Sequence, residues 1–179
     1  MYKLNILDKK LIKITISRLC QQLIENHQDF RDTVILGIQP RGAFLAARIQ
    51  KELKLLTGLT IPLGKLDITF HRDDYRRREF AASSYPMDIP FVIENKNVIL
   101  IDDVLYTGRT IKAALEAMAA FGRPTTVELL VLINRKYSRE LPISANYVGK
   151  SVNSLASEKV IVELKESENK EDGVWLIQQ

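Results

Sequence analysis

The hydrophobic positions of this chain alternate between short continuous runs and helical spacing, and this order predicts an α/β protein. The continuous runs are rich in β-branched and aliphatic residues, which is typical of buried strands, and they cover residues 33–38, 98–101 and 126–133. Apolar residues at helical spacing predict helices over residues 9–26, 43–56 and 109–121, the last with Ile111, Leu115 and Met118 on one side. Strands that alternate with helices indicate an open, mainly parallel sheet with ligands at the carboxyl ends of its strands.

The segments around these units predict the remaining parts of a single domain that covers residues 1–179. Asp8 is a suitable N-cap for the first helix, and residues 60–70 form an extended apolar segment. A polar stretch over about 71–90 lacks apolar periodicity, which favours a flexible lid loop, although a plain surface loop has the same pattern. Short strands are predicted at 145–149, 159–164 and 174–177, and the C-terminal strands are expected to form a small hood together with the lid.

Composition and charge exclude several classes of protein without selecting a function. The chain has 179 residues, of which 46% are hydrophobic and 27% charged, as in ordinary globular domains. Apolar runs stay far below the ~20 residues that span a bilayer, so we expect a cytoplasmic protein with no membrane partner. A lone cysteine, Cys20, excludes an internal disulfide framework and is expected in the core. The net charge of +4 leaves open whether the basic groups serve small phosphates, RNA or only solvent.

Chemistry-bearing residues concentrate between the strand at 98–101 and the helix that follows. Asp102 and Asp103 end the strand, and Thr107, Gly108 and Thr110 lie in the turn before the helix. A turn that leads from a strand into a helix N-terminus offers free N–H groups and a helix dipole to a phosphate. Carboxylates repel a phosphate, so the acidic pair indicates that the ligand also carries hydroxyls or a Mg²⁺ ion. A sugar phosphate satisfies both conditions.

These residues resemble the phosphoribosylpyrophosphate (PRPP) signature of the type I phosphoribosyltransferases. The segment Asp-Asp-Val-Leu-Tyr-Thr-Gly-Arg-Thr at 102–110 is similar in particular to the PyrR family, the bifunctional pyrimidine-operon attenuators with uracil phosphoribosyltransferase activity. Ile-Thr-Phe-His-Arg-Asp-Asp at 68–74 and Arg-Glu-Leu-Pro-Ile at 139–143 extend the match, with Phe70 and His71 as departures. The resemblance implies an open parallel sheet flanked by helices, with a hood and a lid.

The same resemblance assigns roles to individual residues. The catalytic group comprises Asp103, Asp102 and Arg72. Mg²⁺ is the expected cofactor, held largely through substrate oxygens with help from Asp102 and Asp103. The residues expected to bind PRPP are Val104, Leu105, Tyr106, Thr107, Gly108, Arg109 and Thr110, with Arg41 and Gly42 for the pyrophosphate. Family members often place a cis peptide before the arginine of this second turn, which here is the bond Pro40–Arg41.

The identity of the base rests on Tyr106. Purine phosphoribosyltransferases usually carry an aspartate at this position, which manages a proton at the purine N7, and a tyrosine with a pKa near ~10 replaces it poorly. A pyrimidine base is therefore expected, with uracil first. The implied partners are PRPP, uracil, UMP and pyrophosphate.

A regulatory role is implied by the family, whose members bind leader RNA of pyrimidine genes on a basic face of a dimer. Arg18, Arg139 and Lys150 keep a basic character at corresponding positions, whereas Gln21, Asn26 and Ser144 replace residues that are often His or Arg. A homodimer or higher oligomer is expected. Three hypotheses stay open: a uracil phosphoribosyltransferase of pyrimidine salvage with or without RNA regulation, an RNA-binding attenuator with weak or no catalysis, and a purine salvage enzyme.

Overall fold

The computed structural model describes residues 2–73, 85–168 and 171–178, so most of the predicted lid at 71–90 lies outside the described residues. The elements in chain order are β1 (Lys3–Asp8), α1 (Lys9–His27), β2 (Thr33–Ile38), α2 (Arg41–Thr57), β3 (Leu63–Leu66), β4 (Asn97–Leu105), α3 (Arg109–Met118), β5 (Thr126–Lys136), β6 (Tyr147–Asn153), β7 (Glu158–Glu163), α4 (Lys165–Glu168) and β8 (Gly173–Gln178). Short 3₁₀ helices lie at Thr69–His71 and Ala119–Phe121.

The predicted parallel sheet is present and holds the centre of the molecule. In the described part of the chain, five parallel strands follow the order β3-β2-β4-β5-β6. The inner strand β2 is buried along its whole length, as expected for a strand covered on both faces. Side chains alternate between the faces: Ile35 and Ile99 join the core under α1 and α2, whereas Leu36 and Leu100 join the core under α3.

A second sheet forms the hood, and one of its strands was not predicted. Within the described residues this sheet has the antiparallel order β1-β8-β7, so the C-terminal strands pair with the start of the chain. The sequence of β1 has a weak pattern in which only Ile6 and Leu7 are buried. It becomes a strand because β8, more than 160 positions away in the sequence, supplies its partner.

The two long helices follow their predicted signals closely. Asp8 caps α1 as expected, since its carboxylate accepts a hydrogen bond from the Leu11 N–H at 2.8 Å. Cys20 is fully buried in the core, as predicted, and burial raises the pKa of its thiol to about 12. Such a thiol stays protonated and does not act as a nucleophile at neutral pH. None of the helices in the described ranges is long and apolar enough to cross a membrane.

Three predictions of local structure were wrong in detail. Leu115 was expected on the buried side of the third helix but is 40% exposed, and small residues such as Ala114 and Ala117 pack there instead. The extended segment at 60–70 contains only the four-residue strand β3 before a 3₁₀ turn. Finally, β5 continues to Lys136, three residues beyond its predicted end, so Arg135 belongs to the strand.

Candidate active site

The site lies where β2 and β4 end side by side and the two following helices begin. The parallel register pairs Gly37 with Ile101, so the turn before α2 stands next to Asp102. Gly42 makes this contact possible, because a Cβ atom built on it would lie 2.5 Å from the Ile101 carbonyl oxygen and 3.2 Å from the Asp102 Cα. The turn before α2 therefore lies directly against the acidic end of β4.

The acidic pair occupies the floor of this junction. Asp102 is 6% exposed and Asp103 is half-buried. Each carboxylate caps the chain after it: Asp102 accepts from the Asp103 N–H at 2.9 Å, and Asp103 accepts from the Val104 N–H at 3.0 Å. Burial, together with the negative charge of Asp103, raises the pKa of Asp102 well above its usual range. Burial likewise raises the pKa of Asp103. Such a pair favours the arrival of positive charge or of hydroxyl donors.

Residues 104–110, which we name the phosphate loop, form the wall of a cleft of about 550 Å³. Gly108 adopts a positive φ of 96°, a conformation that a side chain disfavours, and α3 begins at the next residue. The loop is fixed from behind, because the Thr107 carbonyl accepts from the N–H groups of Glu140 and Leu141 at 3.0 and 3.2 Å. Its open side, at a helix N-terminus with the hydroxyls of Thr107 and Thr110 in the lining, suits a phosphate.

Two arginines that were predicted to belong to the site, Arg41 and Arg72, approach the acidic pair from different segments. Arg41 is the first residue of α2, and its positive charge lowers the pKa of Asp103 against the larger effect of burial. Arg72 lines the cleft and acts in the same sense on Asp102. The cis peptide found among the described residues is Gln39–Pro40, one bond before the bond that the family resemblance implied. The structure thus brings Arg41 and Arg72 to the acidic pair, while the pyrophosphate role of Arg41 and the catalytic role of Arg72 stay predictions.

Arg109 of the phosphate loop is held by two acidic residues rather than directed at the acidic pair. Its Nε donates to Glu140 at 2.7 Å, and its Nη1 contacts the carboxylate of Asp73, at the start of the lid. These two carboxylates, Glu140 first, raise the pKa of Arg109. Arg109 therefore joins the lid base, the phosphate loop and the segment after β5.

Tyr106 has contacts that its place in the signature did not predict. The guanidinium of Arg135 lies over its ring, 3.7 Å from the ring centroid, and Arg139 donates to its carbonyl oxygen and to the Asn134 side chain. Loss of hydration on burial lowers the pKa of Arg139. Arg135 escaped the sequence reasoning because it stands among Lys136 and Arg139, where a run of basic residues is typical of a solvated face.

The three residues predicted to bind RNA occupy two places. Arg18 and Lys150 are exposed at the edge strand β6, where Arg18 donates to the Gly149 carbonyl and Lys150 donates to the Ile6 carbonyl at 3.1 Å. Arg139 instead belongs to the surroundings of the phosphate loop through Tyr106. The structure therefore groups Arg18 with Lys150 and sets Arg139 at the cleft.

The acidic pair is suited to a metal ion that arrives with a substrate. No group of three or more His, Cys, Asp or Glu side chains in the described residues is arranged to hold a metal. Mg²⁺ is commonly bound through one or two carboxylates together with substrate phosphates, rather than in an all-protein cage. The oxygen donors of Asp102 and Asp103, next to a phosphate-binding turn, fit this second arrangement.

Sequence comparisons agree with the geometry. The model of the phosphoribosyl transferase domain matches residues 3–167. A bifunctional protein PyrR of Enterococcus faecalis is 43% identical over 93% of this chain and 92% of its own length. The PyrR protein of Mannheimia succiniciproducens is 49% identical over 88% of this chain and 89% of its own length.

Solved structures extend the comparison to the fold. A hypoxanthine phosphoribosyltransferase of Staphylococcus aureus superposes with a TM-score of 0.70 over 96% of this chain and 90% of that one, at 21% identity. The enzyme of Trypanosoma cruzi gives a TM-score of 0.73 at 13% identity, over 98% of this chain and 91% of that one. Identities this low support the fold alone. With an acidic pair directly before a phosphate loop, a domain model that matches almost the whole chain and relatives above 40% identity, this protein belongs to the phosphoribosyltransferases and, among them, to the PyrR family.

Proposed function

We propose that this protein transfers the phosphoribosyl group of PRPP to uracil and releases UMP and pyrophosphate. The observation that carries the proposal is the position of the acidic pair, the buried Asp102 and the half-buried Asp103, directly before the phosphate loop. A sugar phosphate bound there would place its phosphate at the N-terminus of α3 and its hydroxyls above the carboxylates. The names of the relatives, bifunctional protein PyrR, agree with this reading.

In the proposed reaction the uracil N1 forms a bond to the anomeric carbon of the ribose as the bond from that carbon to the pyrophosphate oxygen breaks. The N1 proton passes to solvent, and the electron pair of the broken bond leaves with the pyrophosphate. The ribose carbon becomes positively charged on the way, so a nearby carboxylate binds the transition state more strongly than the ground state. Asp103 is our candidate for this carboxylate. Asp102 helps to position it by accepting a hydrogen bond from the Asp103 N–H.

The remaining residues act by positioning and by charge. Arg41 and Arg72 carry positive charge toward the place where the pyrophosphate gains negative charge as it leaves. Bound Mg²⁺ would neutralise further charge on the pyrophosphate. Correct orientation of the two substrates contributes up to about 7–11 kcal/mol to lowering the barrier in well-oriented reactions, so no covalent nucleophile is required.

The choice of uracil rests on Tyr106 in the cleft. A tyrosine lacks the carboxylate with which purine enzymes of this superfamily manage the N7 proton. A single-ring base needs no such group, since its reacting nitrogen is the one that loses its proton.

The test is nucleotide formation from PRPP and Mg²⁺ with uracil, orotate, hypoxanthine, guanine and xanthine in parallel. We expect UMP alone from the wild-type protein. Asp103→Asn is expected to abolish product formation, whereas Ala47→Gly, at an exposed position of α2, is expected to leave it unchanged. A purine nucleotide, or full turnover by Asp103→Asn, would contradict the proposed base and the proposed site respectively.

We propose RNA binding as a second function, favoured by the exposed basic pair Arg18 and Lys150 at β6. Leader RNA of pyrimidine genes is the expected ligand, with UMP as the signal. Each lysine or arginine that neutralises a phosphate makes affinity fall more steeply with salt. Binding across a salt series should therefore show a slope about 1 smaller for Lys150→Gln and an unchanged slope for Lys51→Gln, which lies exposed on α2. Equal slopes for Lys150→Gln and the wild type would remove Lys150 from the RNA surface.

A further inference from the structure

Arg135 is a buried charged residue to which the roles described above assign no task. It lies at the end of β5 and is 5% exposed, among the few charged or polar residues that the core of the described chain contains. Burying a charge is costly unless its donors are all matched by acceptors. A guanidinium kept in this position therefore has to be explained by the groups that it holds.

Three acceptors of Arg135 come from one short segment, residues 154–158, which joins β6 to β7. Its Nε donates to the Ser154 hydroxyl at 2.8 Å, and its Nη2 donates to the carbonyls of Leu155 and Glu158 at 3.2 and 2.8 Å. We name residues 154–158 the hood loop. A planar guanidinium can hold several acceptors in a fixed fork, which lysine cannot do.

Arg135 also contacts the phosphate loop. The face of the guanidinium stacks on the Tyr106 ring at 3.7 Å, so one side chain spans from Tyr106 to the hood loop. Arg139 fixes the Tyr106 carbonyl at the same time. Arg135 therefore joins the two loops, because it contacts the phosphate loop with its face and the hood loop with its edge.

The hood loop is also closed on itself. The Glu158 carboxylate accepts from the Leu155 N–H at 2.6 Å, and the Glu158 N–H donates to the Leu155 carbonyl at 3.1 Å. The middle of the loop, Ala156 and Ser157, stays exposed, and the Leu155 residue is 67% exposed. Arg135 thus binds the hood loop on its buried side, while the opposite side of the loop is exposed to solvent.

We propose that Arg135 is a positioning residue for the base, which fixes the hood loop against Tyr106 as a wall of the base site. The base joins the ribose at the anomeric carbon, away from the 5′-phosphate, so its wall has to come from residues outside the phosphate loop but adjacent to it. The hood loop is adjacent to Tyr106 through Arg135 itself. The inference rests on the proposed function, since it assumes that a pyrimidine and a sugar phosphate bind in this cleft.

The experiment separates the base from the sugar phosphate. Dissociation constants of UMP and of PRPP with Mg²⁺ are measured by calorimetry, and KM values of uracil and PRPP by turnover. For Arg135→Lys we expect UMP binding to weaken and the uracil KM to rise, each by about tenfold. PRPP binding and the PRPP KM should change by less than about threefold. A residue that only supports the fold would lower the active fraction and leave this ratio unchanged.

Two further variants keep the test decisive if Arg135→Lys does not fold. Ser154→Ala removes one acceptor of Arg135 and is expected to raise the uracil KM by about threefold, with the PRPP KM unchanged. Arg31→Lys is the matched control, because Arg31 lies exposed in the turn before β2, at the opposite end of the strands. Equal weakening of UMP and PRPP binding, or unchanged uracil parameters in Ser154→Ala, would overturn the proposal. Failure of the proposed function would instead appear as the wrong nucleotide, or none, from the wild-type protein.

Discussion

Replacing Gly42 by alanine tests whether the close contact between the start of α2 and the end of β4 builds the site. The added Cβ would lie 2.5 Å from the carbonyl oxygen of Ile101, where ordinary contact begins at 3.4 Å. The new Cβ is fixed to the backbone at the start of α2, and the Ile101 carbonyl belongs to the backbone of a central buried strand. Neither group can therefore rotate away as the end of a side chain can. The start of the helix must therefore retreat by about 0.9 Å, and Arg41 moves with it.

The structure allows the size of both effects to be estimated. Overpacking in a closely packed interior costs about 1–3 kcal/mol, and the higher helix propensity of alanine returns at most about 1 kcal/mol. We expect a net loss of about 2 kcal/mol, which lowers the melting temperature of a chain of this size by roughly 4–8 °C. A displacement near 1 Å of a substrate-positioning group can reduce turnover by about 10²-fold, and we expect kcat/KM to fall by that factor.

Thermal unfolding and steady-state kinetics on the same preparations distinguish the two effects. Ala47→Gly is the matched control, because it changes the helix propensity of an exposed position in the same helix. It should cost about 1 kcal/mol and leave kcat/KM unchanged. Wild-type turnover in Gly42→Ala, with a melting temperature equal to or above that of the wild type, would refute the reasoning.

Two other predictions concern ionised groups and are tested by urea unfolding at pH 3, 4, 6 and 8. Burial and repulsion from Asp103 raise the pKa of Asp102 above its ordinary value of 3.8. Above about pH 4 the folded protein therefore keeps a proton on Asp102 that the unfolded chain has lost. For this reason Asp102 lowers the free energy of unfolding as the pH rises above about 4. Asp102→Asn should be more stable than the wild type at pH 8, and this gain in stability should vanish toward pH 4. The variant should also lose turnover. A gain in stability that does not depend on pH would contradict the raised pKa of Asp102. Arg48 joins α2 to the hood side, because it donates to Glu166 at 2.8 Å and to Asp172 at 2.6 Å. It lowers the pKa of both carboxyl groups. Arg48→Met should lose about 2 kcal/mol at pH 7, and this difference should shrink as the pH falls below about 4, so an equal loss at pH 3 and pH 7 would speak against the ion pairs.

Much of the fold and the centre of the site could be predicted from the sequence, because they depend on contacts between neighbours in the chain. The strand, turn and helix from β4 to α3 are contiguous, and their apolar spacing, Gly108 and the acidic pair indicate the phosphate loop without other information. Asp8 and the N-terminus of α1 are local in the same sense. These elements were correct in type and nearly correct in their limits.

The tertiary structure decided the features whose partners are distant in sequence. β1 is a strand because β8 pairs with it, and Arg135 is buried because the hood loop supplies three acceptors about 20 positions further on. From the sequence alone, Arg135 has the pattern of an exposed basic residue. Gly42 was recognised in its turn, but the contact with Ile101 that requires a glycine exists only once β2 and β4 are paired. Local sequence determined most of the strands, turns and helices other than β1, because backbone propensity and apolar spacing act over a few residues. The folded chain determined which charges are buried and what they hold, since hydration is lost only when distant segments close over them.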